Sequence, residues 1–183
     1  HISVLKGNLA PESCLLKLSG KTLEKGEFRG TARVFESEAD TMKAIRAGEI
    51  VPGNVVVVRN VGPVGGPGMP EMVMLTIQLQ GRGLGEDVAL ITDGRFSGVS
   101  HGILIGHISP EAARGGPIAA VRDGDTIVID PGARTLNLEI SDEELARRMA
   151  DWRPPAAADR PRPGSVHDKY TKLVSSAHYG CVV

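Results

Sequence analysis

The apolar residues of this chain come in short runs. Val55-Val56-Val57-Val58, Val88-Ala89-Leu90-Ile91, Ile103-Leu104-Ile105 and Ile127-Val128-Ile129 each stop within a few residues of Gly, Asn or Asp. Unbroken aliphatic runs of that length, bounded by turn formers, read as strands buried on both faces rather than as helices. Aromatics make up only 3% of the residues, so the core is assembled from Val, Ile, Leu, Ala and Met. With 23 Gly and 12 Pro in 183 residues the chain turns often, which favours a β-rich or mixed fold over a helical bundle.

Further strands are expected at Ser13–Leu18, Phe28–Phe35 and Thr135–Ile140, after a turn at Gly7–Pro11. Pro117–Val121 and Asp125–Ile129, on either side of Arg122-Asp123-Gly124, read as a hairpin or tight corner. Ser37 with Asp40 three residues on imitates a capping box; Ala39, Met42, Ala44 and Ile45 then line one helical face until Gly48 stops it. A second helix is expected from Glu71 to Gln80, and a third from the capping box Ser141-Asp142-Glu143-Glu144 to about Trp152. Ser109–Ala113 reads as a helical turn with Pro110 at its first position. Lys21–Gly26 reads as a solvated loop, residues 152–168 as an exposed linker, and 169–183 as a tail folding back onto the body. The expected fold is a mixed, β-rich α/β domain: a barrel-like sheet of about eight strands flanked by three or four helices, one domain over residues 1–183.

Charges of both signs are interspersed and the formal net charge is −1, which argues against nucleic acid as a partner. No stretch approaches the ~20 apolar residues of a membrane span. Cys14 and Cys181 stand far apart without neighbours at metal-ligand spacing. They read as reduced thiols of a cytosolic protein, or of an organellar one in a eukaryote. The chain opens on His1 without a Met and lacks the layout of a signal peptide, so it reads as part of a longer protein.

Two loops carry chemistry. After the run 88–91 comes Thr92-Asp93-Gly94-Arg95-Phe96-Ser97-Gly98-Val99-Ser100, a strand that stops at a tight turn and presents Ser97 between Gly94 and Gly98. Two glycines around one hydroxyl point to positive φ or to close approach of a ligand, with free backbone N–H groups around the serine. Upstream, Gly62-Pro63-Val64-Gly65-Gly66-Pro67-Gly68-Met69-Pro70-Glu71 ends on a carboxylate, and a helix starting there would set its N-terminus against the loop. Each residue also has a plain structural reading: Ser97 as a turn serine bonded to its own backbone, Glu71 as a carboxylate serving a helix dipole, His107 as a satisfied core histidine, and Arg95 as a partner of Asp93 or of a neighbouring acid.

Read together, Gly65–Met72, Thr92–Gly98, Gly106-His107-Ile108-Ser109-Pro110-Glu111-Ala112 and Lys172-Leu173-Val174-Ser175-Ser176-Ala177 stand in one order. That order, with Leu5-Lys6-Gly7-Asn8-Leu9-Ala10-Pro11 before it, resembles the C-terminal domain of the dihydroxy-acid dehydratase and phosphogluconate dehydratase family, which includes sugar-acid dehydratases. The resemblance covers nearly the whole chain. It implies a swivelling β/β/α domain and dehydration of a 2,3-dihydroxy acid, or sugar acid, to a 2-keto acid. It further implies Mg²⁺ and an iron–sulfur cluster lying between this domain and a larger N-terminal domain, in a full-length homodimer. By position Glu71 matches the family's Mg²⁺ ligand from this domain and Ser97 its proton acceptor. Gly98, Ser100 and Ser175 are the expected substrate contacts, with Ser176 beside them. The cluster's ligands belong to the N-terminal domain, so the isolated chain is expected to be inactive. His101 departs from what the resemblance leads one to expect and bears on substrate identity.

Two rival readings come from other classes. Ser100-His101-Gly102-Ile103-Leu104-Ile105 also resembles the Ser-His-apolar signature of phosphohistidine swivelling domains, with His101 as carrier. A non-catalytic interaction domain keeping the fold is the other.

Overall fold

The computed structural model describes residues 2–17, 26–153 and 161–183. The expected loop at Lys21–Gly26 lies almost wholly outside them, as does much of the expected linker. Eight strands form one closed barrel in the order β1-β2-β6-β5-β4-β3-β7-β8. They are β1 (Ile2–Gly7), β2 (Ala10–Lys17), β3 (Phe28–Phe35), β4 (Asn54–Val58), β5 (Ala89–Thr92), β6 (Ile103–Ser109), β7 (Thr126–Asp130) and β8 (Thr135–Leu138). β3, β4, β5 and β6 run parallel to one another, whereas β2 and β7 pair antiparallel to their neighbours.

The short aliphatic runs are buried on both faces because two cores need them. Val55, Val57, Ala89, Ile91, Ile103, Ile105, Ile127 and Ile129 point into the barrel with Leu5, Leu16, Leu136 and Leu138. The alternate residues Val56, Val58, Leu90 and Leu104 point outward, under a second layer that includes Ile45, Met72, Leu75 and Leu79. Successive strand side chains face opposite sides, so a strand without polar alternation belongs in the middle of such a sandwich of layers.

Helices α1 (Glu38–Ala47) and α2 (Val73–Gly81) supply that second layer and connect β3 to β4 and β4 to β5. α1 begins where its sequence says: the Asp40 N–H donates to Ser37 Oγ at 3.1 Å, and Gly48 closes it in the left-handed region at φ 78°. α2 begins later than expected. Met72 takes the cap position without a side-chain bond, and Glu71 lies outside the helix, bridged to Arg95. α3 (Asp142–Ala150) is capped by Ser141, whose Oγ accepts from Glu144 N at 3.2 Å, and Arg148 ties it to Asp125 at 2.5 Å.

Two further expectations are corrected. Of the hairpin or tight corner expected around Arg122-Asp123-Gly124, the hairpin is absent: Pro117–Ala120 is a 3-10 turn that leads into β7. Gly116 before that turn packs so closely on the Pro110 carbonyl that a Cβ would stand 1.7 Å away, which leaves room only for glycine there. At the far edges of the expected linker, Trp152 Nε1 donates to the Ala112 carbonyl at 3.1 Å, and α4 (Val166–Leu173) starts from a Ser165 cap. Beyond α4 the tail lies on β2, where Ser176 Oγ donates to Glu12 at 2.6 Å and Ser13 Oγ pairs with His178 Nδ1 at 2.8 Å.

Candidate functional site

The carboxyl ends of β3, β4, β5 and β6 share one rim, the usual place for a ligand beside parallel strands. From that rim rise Glu36 and Glu38, the Asn60–Glu71 loop, Asp93, and Glu111. Two buried carboxylates hold the loop. Asp93 is wholly buried and accepts the N–H groups of Asn60 (3.1 Å), Val61 (3.1 Å) and Ala112 (2.9 Å). Glu111 accepts Val64 N at 3.0 Å and Gly65 N at 2.9 Å. A side chain at Gly62 would meet Glu111 Oε2 at 2.7 Å, which explains a glycine at that close approach. Asp93 is therefore an organiser of the loop and not the partner expected for Arg95.

Burial pushes the Asp93 carboxyl up to about 6 and that of Glu111 up to about 7, the backbone N–H groups opposing in both cases. A folded pKa raised above the unfolded value means that the native state holds more protons across the interval between them. Stability from Glu111 is therefore fully present below about pH 4.5 and lost as pH rises through about 7. In melting experiments the wild-type chain should gain on Glu111→Gln as pH falls from 7 to 4.5. A constant difference, or one of opposite sign, refutes the assignment.

β5 and β6 are parallel neighbours, yet no helix joins them. Residues 93–102 instead run back along the outside of the barrel from the end of β5 to the start of β6. His107 N fastens the segment by donating to Gly94 O at 2.8 Å, and Phe96 packs on the outer core. Arg95 bridges Glu71 as in a parallel sheet, and its Nε donates to Met69 O at 2.5 Å. Paired strands lie about 4.8 Å apart and two residues of extended chain span about 7 Å. Ser97 is thus held on the same short ribbon as Glu71, two residues past the bridge.

The surroundings of Ser97 differ from expectation. Its Oγ accepts the Val99 N–H at 3.2 Å, and its carbonyl accepts Ser100 N at 3.2 Å, so part of the nearby backbone is already engaged. Neither Gly94 nor Gly98 has positive φ. A Cβ at Gly94 would run into Val61, whereas the space over Gly98 is open. Ser100 is 1% exposed and its Oγ has no hydrogen-bond partner among the described residues. A buried hydroxyl left so costs about 1–3 kcal/mol, which marks it as a group awaiting a partner. His101, next to it, is exposed.

Glu71 is exposed and Glu38 is near enough for the two like charges to interact. Desolvation first, then the charge of Glu71, pushes the Glu38 carboxyl up. A hard cation is the natural relief for such a pair, but no three His, Cys, Asp or Glu side chains converge among the described residues. Among the described residues the pair Glu71 and Glu38 is therefore too small a donor set to hold a metal ion by itself. Cluster-binding chemistry fits poorly. Cys14 is buried, with its thiol pushed up to about 12 by burial, and Cys181 stands 3.5 Å from Met69 Sδ in the tail.

Ser175 belongs to that tail, where its Oγ accepts Val182 N at 2.8 Å; the tail reaches the Glu71 loop through the contact of Cys181 with Met69. His107 is half-buried at φ 56°, and burial, reinforced by the Arg95 charge, lowers its pKa, so the ring is neutral at pH 7. Sequence reasoning missed Asp93 and Glu111 as organisers of the loop and Glu38 as a neighbour of Glu71. Only Asp93, in an Asp-Gly step at a strand end, carried a local signal.

Residues 1–181 match the family model described as dihydroxy-acid/6-phosphogluconate dehydratase C-terminal, and the chain belongs to that family. It is 55% identical over 183 residues to dihydroxy-acid dehydratase 3 of Aromatoleum aromaticum, covering 100% of this chain and 31% of that protein. It is 54% identical over 183 residues to the dihydroxy-acid dehydratase of Methylococcus capsulatus, again over 100% of this chain and 32% of the relative. The chain spans about a third of the length of the curated relatives it matches.

Proposed function

We propose that this chain is the substrate-side part of a hydro-lyase that converts a 2,3-dihydroxy carboxylic acid into a 2-keto acid, with Ser97 as proton acceptor and Glu71 as Mg²⁺ ligand. The observation that carries the reading is the Glu71–Arg95 bridge, which puts the exposed Glu71 on one ribbon with Ser97, two residues past Arg95. The relatives named above are dihydroxy-acid dehydratases, which makes the dihydroxy acids of branched-chain amino-acid synthesis the first substrates to try.

When bound, Mg²⁺ would stabilise negative charge on the substrate carboxylate and 2-oxygen, and an iron–sulfur cluster held by the rest of the protein would draw off the 3-hydroxyl. Ser97 Oγ takes the C2 proton. The Val99 N–H favours the deprotonated form of that oxygen, because a hydrogen bond to the charged state lowers a pKa. Ser100 Oγ and the open backbone at Gly98 receive the substrate carboxylate, and Ser175 lies in the tail that closes on the Glu71 loop. Loss of the C2 proton and of the 3-hydroxyl as water leaves an enol, which tautomerises to the keto acid.

With half the site in a separate N-terminal region, the chain alone is inactive in this reading. The full-length protein is a homodimer in the cytosol or an organelle. Glu71→Gln in the full-length protein should raise the Mg²⁺ concentration for half-maximal turnover by about tenfold or more. An unchanged Mg²⁺ requirement removes Glu71 from the metal site.

A further inference from the structure

The segment that carries Ser97 has no helix and no strand of its own, yet one side chain gathers it. Lys17 is the last residue of β2, beside Leu104 of β6. Its ammonium donates to the carbonyl of Ser97 at 3.3 Å and to those of Gly98 and Ser100. An ammonium has three N–H donors and no acceptor, and three carbonyls of one turn use all of them. A compact tetrahedral point charge suits this cradle, whereas a planar guanidinium spreads its donors along a fork.

We propose that Lys17 is a positioning residue for Ser97: its ammonium pins the three carbonyls of the 97–100 turn so that Ser97 Oγ and the buried, unpartnered Ser100 Oγ meet the same ligand. The proposal rests on the reading of Ser97 as proton acceptor. Because its donors are spent on backbone, Lys17 does not itself bind the substrate. Its removal therefore lowers turnover through Ser97 and, because Gly98 and Ser100 of the same turn receive the substrate carboxylate, raises KM with it. A misplacement of about 1 Å at a reacting group costs on the order of 100-fold.

The test uses full-length protein with Lys17→Ala, Lys17→Arg and Ser97→Ala in parallel. Lys17→Ala is expected to lower kcat by about 10- to 100-fold and to raise KM together with it. Hydrogen exchange should quicken at the amides of Val99 and Ser100, and Lys17→Arg should not restore kcat. Ammonium chloride should recover part of the lost kcat, while tetramethylammonium chloride at equal ionic strength, having no N–H, should not. A role of Lys17 in packing alone gives no ammonium rescue and overturns the proposal, as does a rise in KM at constant kcat, which marks direct substrate contact. Ser97→Ala inactive beside Lys17→Ala with wild-type kcat and exchange overturns it too. If Ser97→Ala retains turnover, the proton-acceptor reading fails, and with it the catalytic part of this proposal; the exchange result then reports the cradle alone.

Discussion

Replacing Ser97 by alanine in the full-length protein is expected to lower the rate of 2-keto acid release by about 10²- to 10⁴-fold, the usual contribution of a positioned acid or base. KM should change little, because Ser97 meets the reacting proton rather than the groups that anchor the substrate. The variant should fold normally. Ser97 Oγ makes one bond, to the N–H of the exposed Val99, and a surface substitution of that kind stays within about 0.5 kcal/mol. Exchange of the substrate C2 proton with solvent should disappear together with turnover. If turnover instead stays within threefold of wild type, the serine is a plain turn residue and the interaction-domain reading gains the ground.

The second large effect is structural and lies beneath the site. Asp93→Ala is expected to cost about 3 kcal/mol or more, because it strips the acceptor from several buried backbone N–H groups at once. Three N–H groups, of Asn60, Val61 and Ala112, would lose their acceptor, and each buried orphan is worth about 1–3 kcal/mol before the loop relaxes. That is a large share of the stability of an ordinary domain. Urea unfolding of this chain should show a lower midpoint at unchanged slope, and a loss under 1 kcal/mol contradicts the role given to Asp93. Asp93→Asn should fall between, since its amide keeps one acceptor oxygen but turns N–H groups toward donors.

The two cases differ in how much of them the sequence carried. Ser97 and Glu71 stand in loops whose glycines and prolines are conspicuous, and their order along the chain was enough to identify the family. Asp93 sits in the same loop as Ser97, yet its apparent partner was the neighbouring Arg95. Its actual partners lie 19 to 33 residues away on two other loops. Glu111 reaches 46 and 47 residues back to hold Gly65 and Val64, and Lys17 reaches 80 forward to Ser97. Contacts of that separation leave no local pattern.

Local chemistry accounts for what could be read in advance. Caps such as Ser37 and Ser141 act within four residues, and the αL stop at Gly48 within one, so composition alone locates those helix ends. The unbroken runs at β4 and β5 announce strands buried on both faces, since each alternate residue must find its own core. Where a residue's state depends on a distant neighbour, the local pattern misleads. Pro117–Val121 has strand composition, yet residues 117–120 form a 3-10 helix packed against the barrel core through Ile118. Glu71 looks like the start of a helix and is instead drawn into a bridge with Arg95, a residue from the next loop. The sequence by itself determined the strands, the caps and the family. The tertiary structure alone decided which carboxylates are buried, which stay exposed, and how a turn without regular structure is held, because those outcomes depend on the partners that closing the barrel brings together.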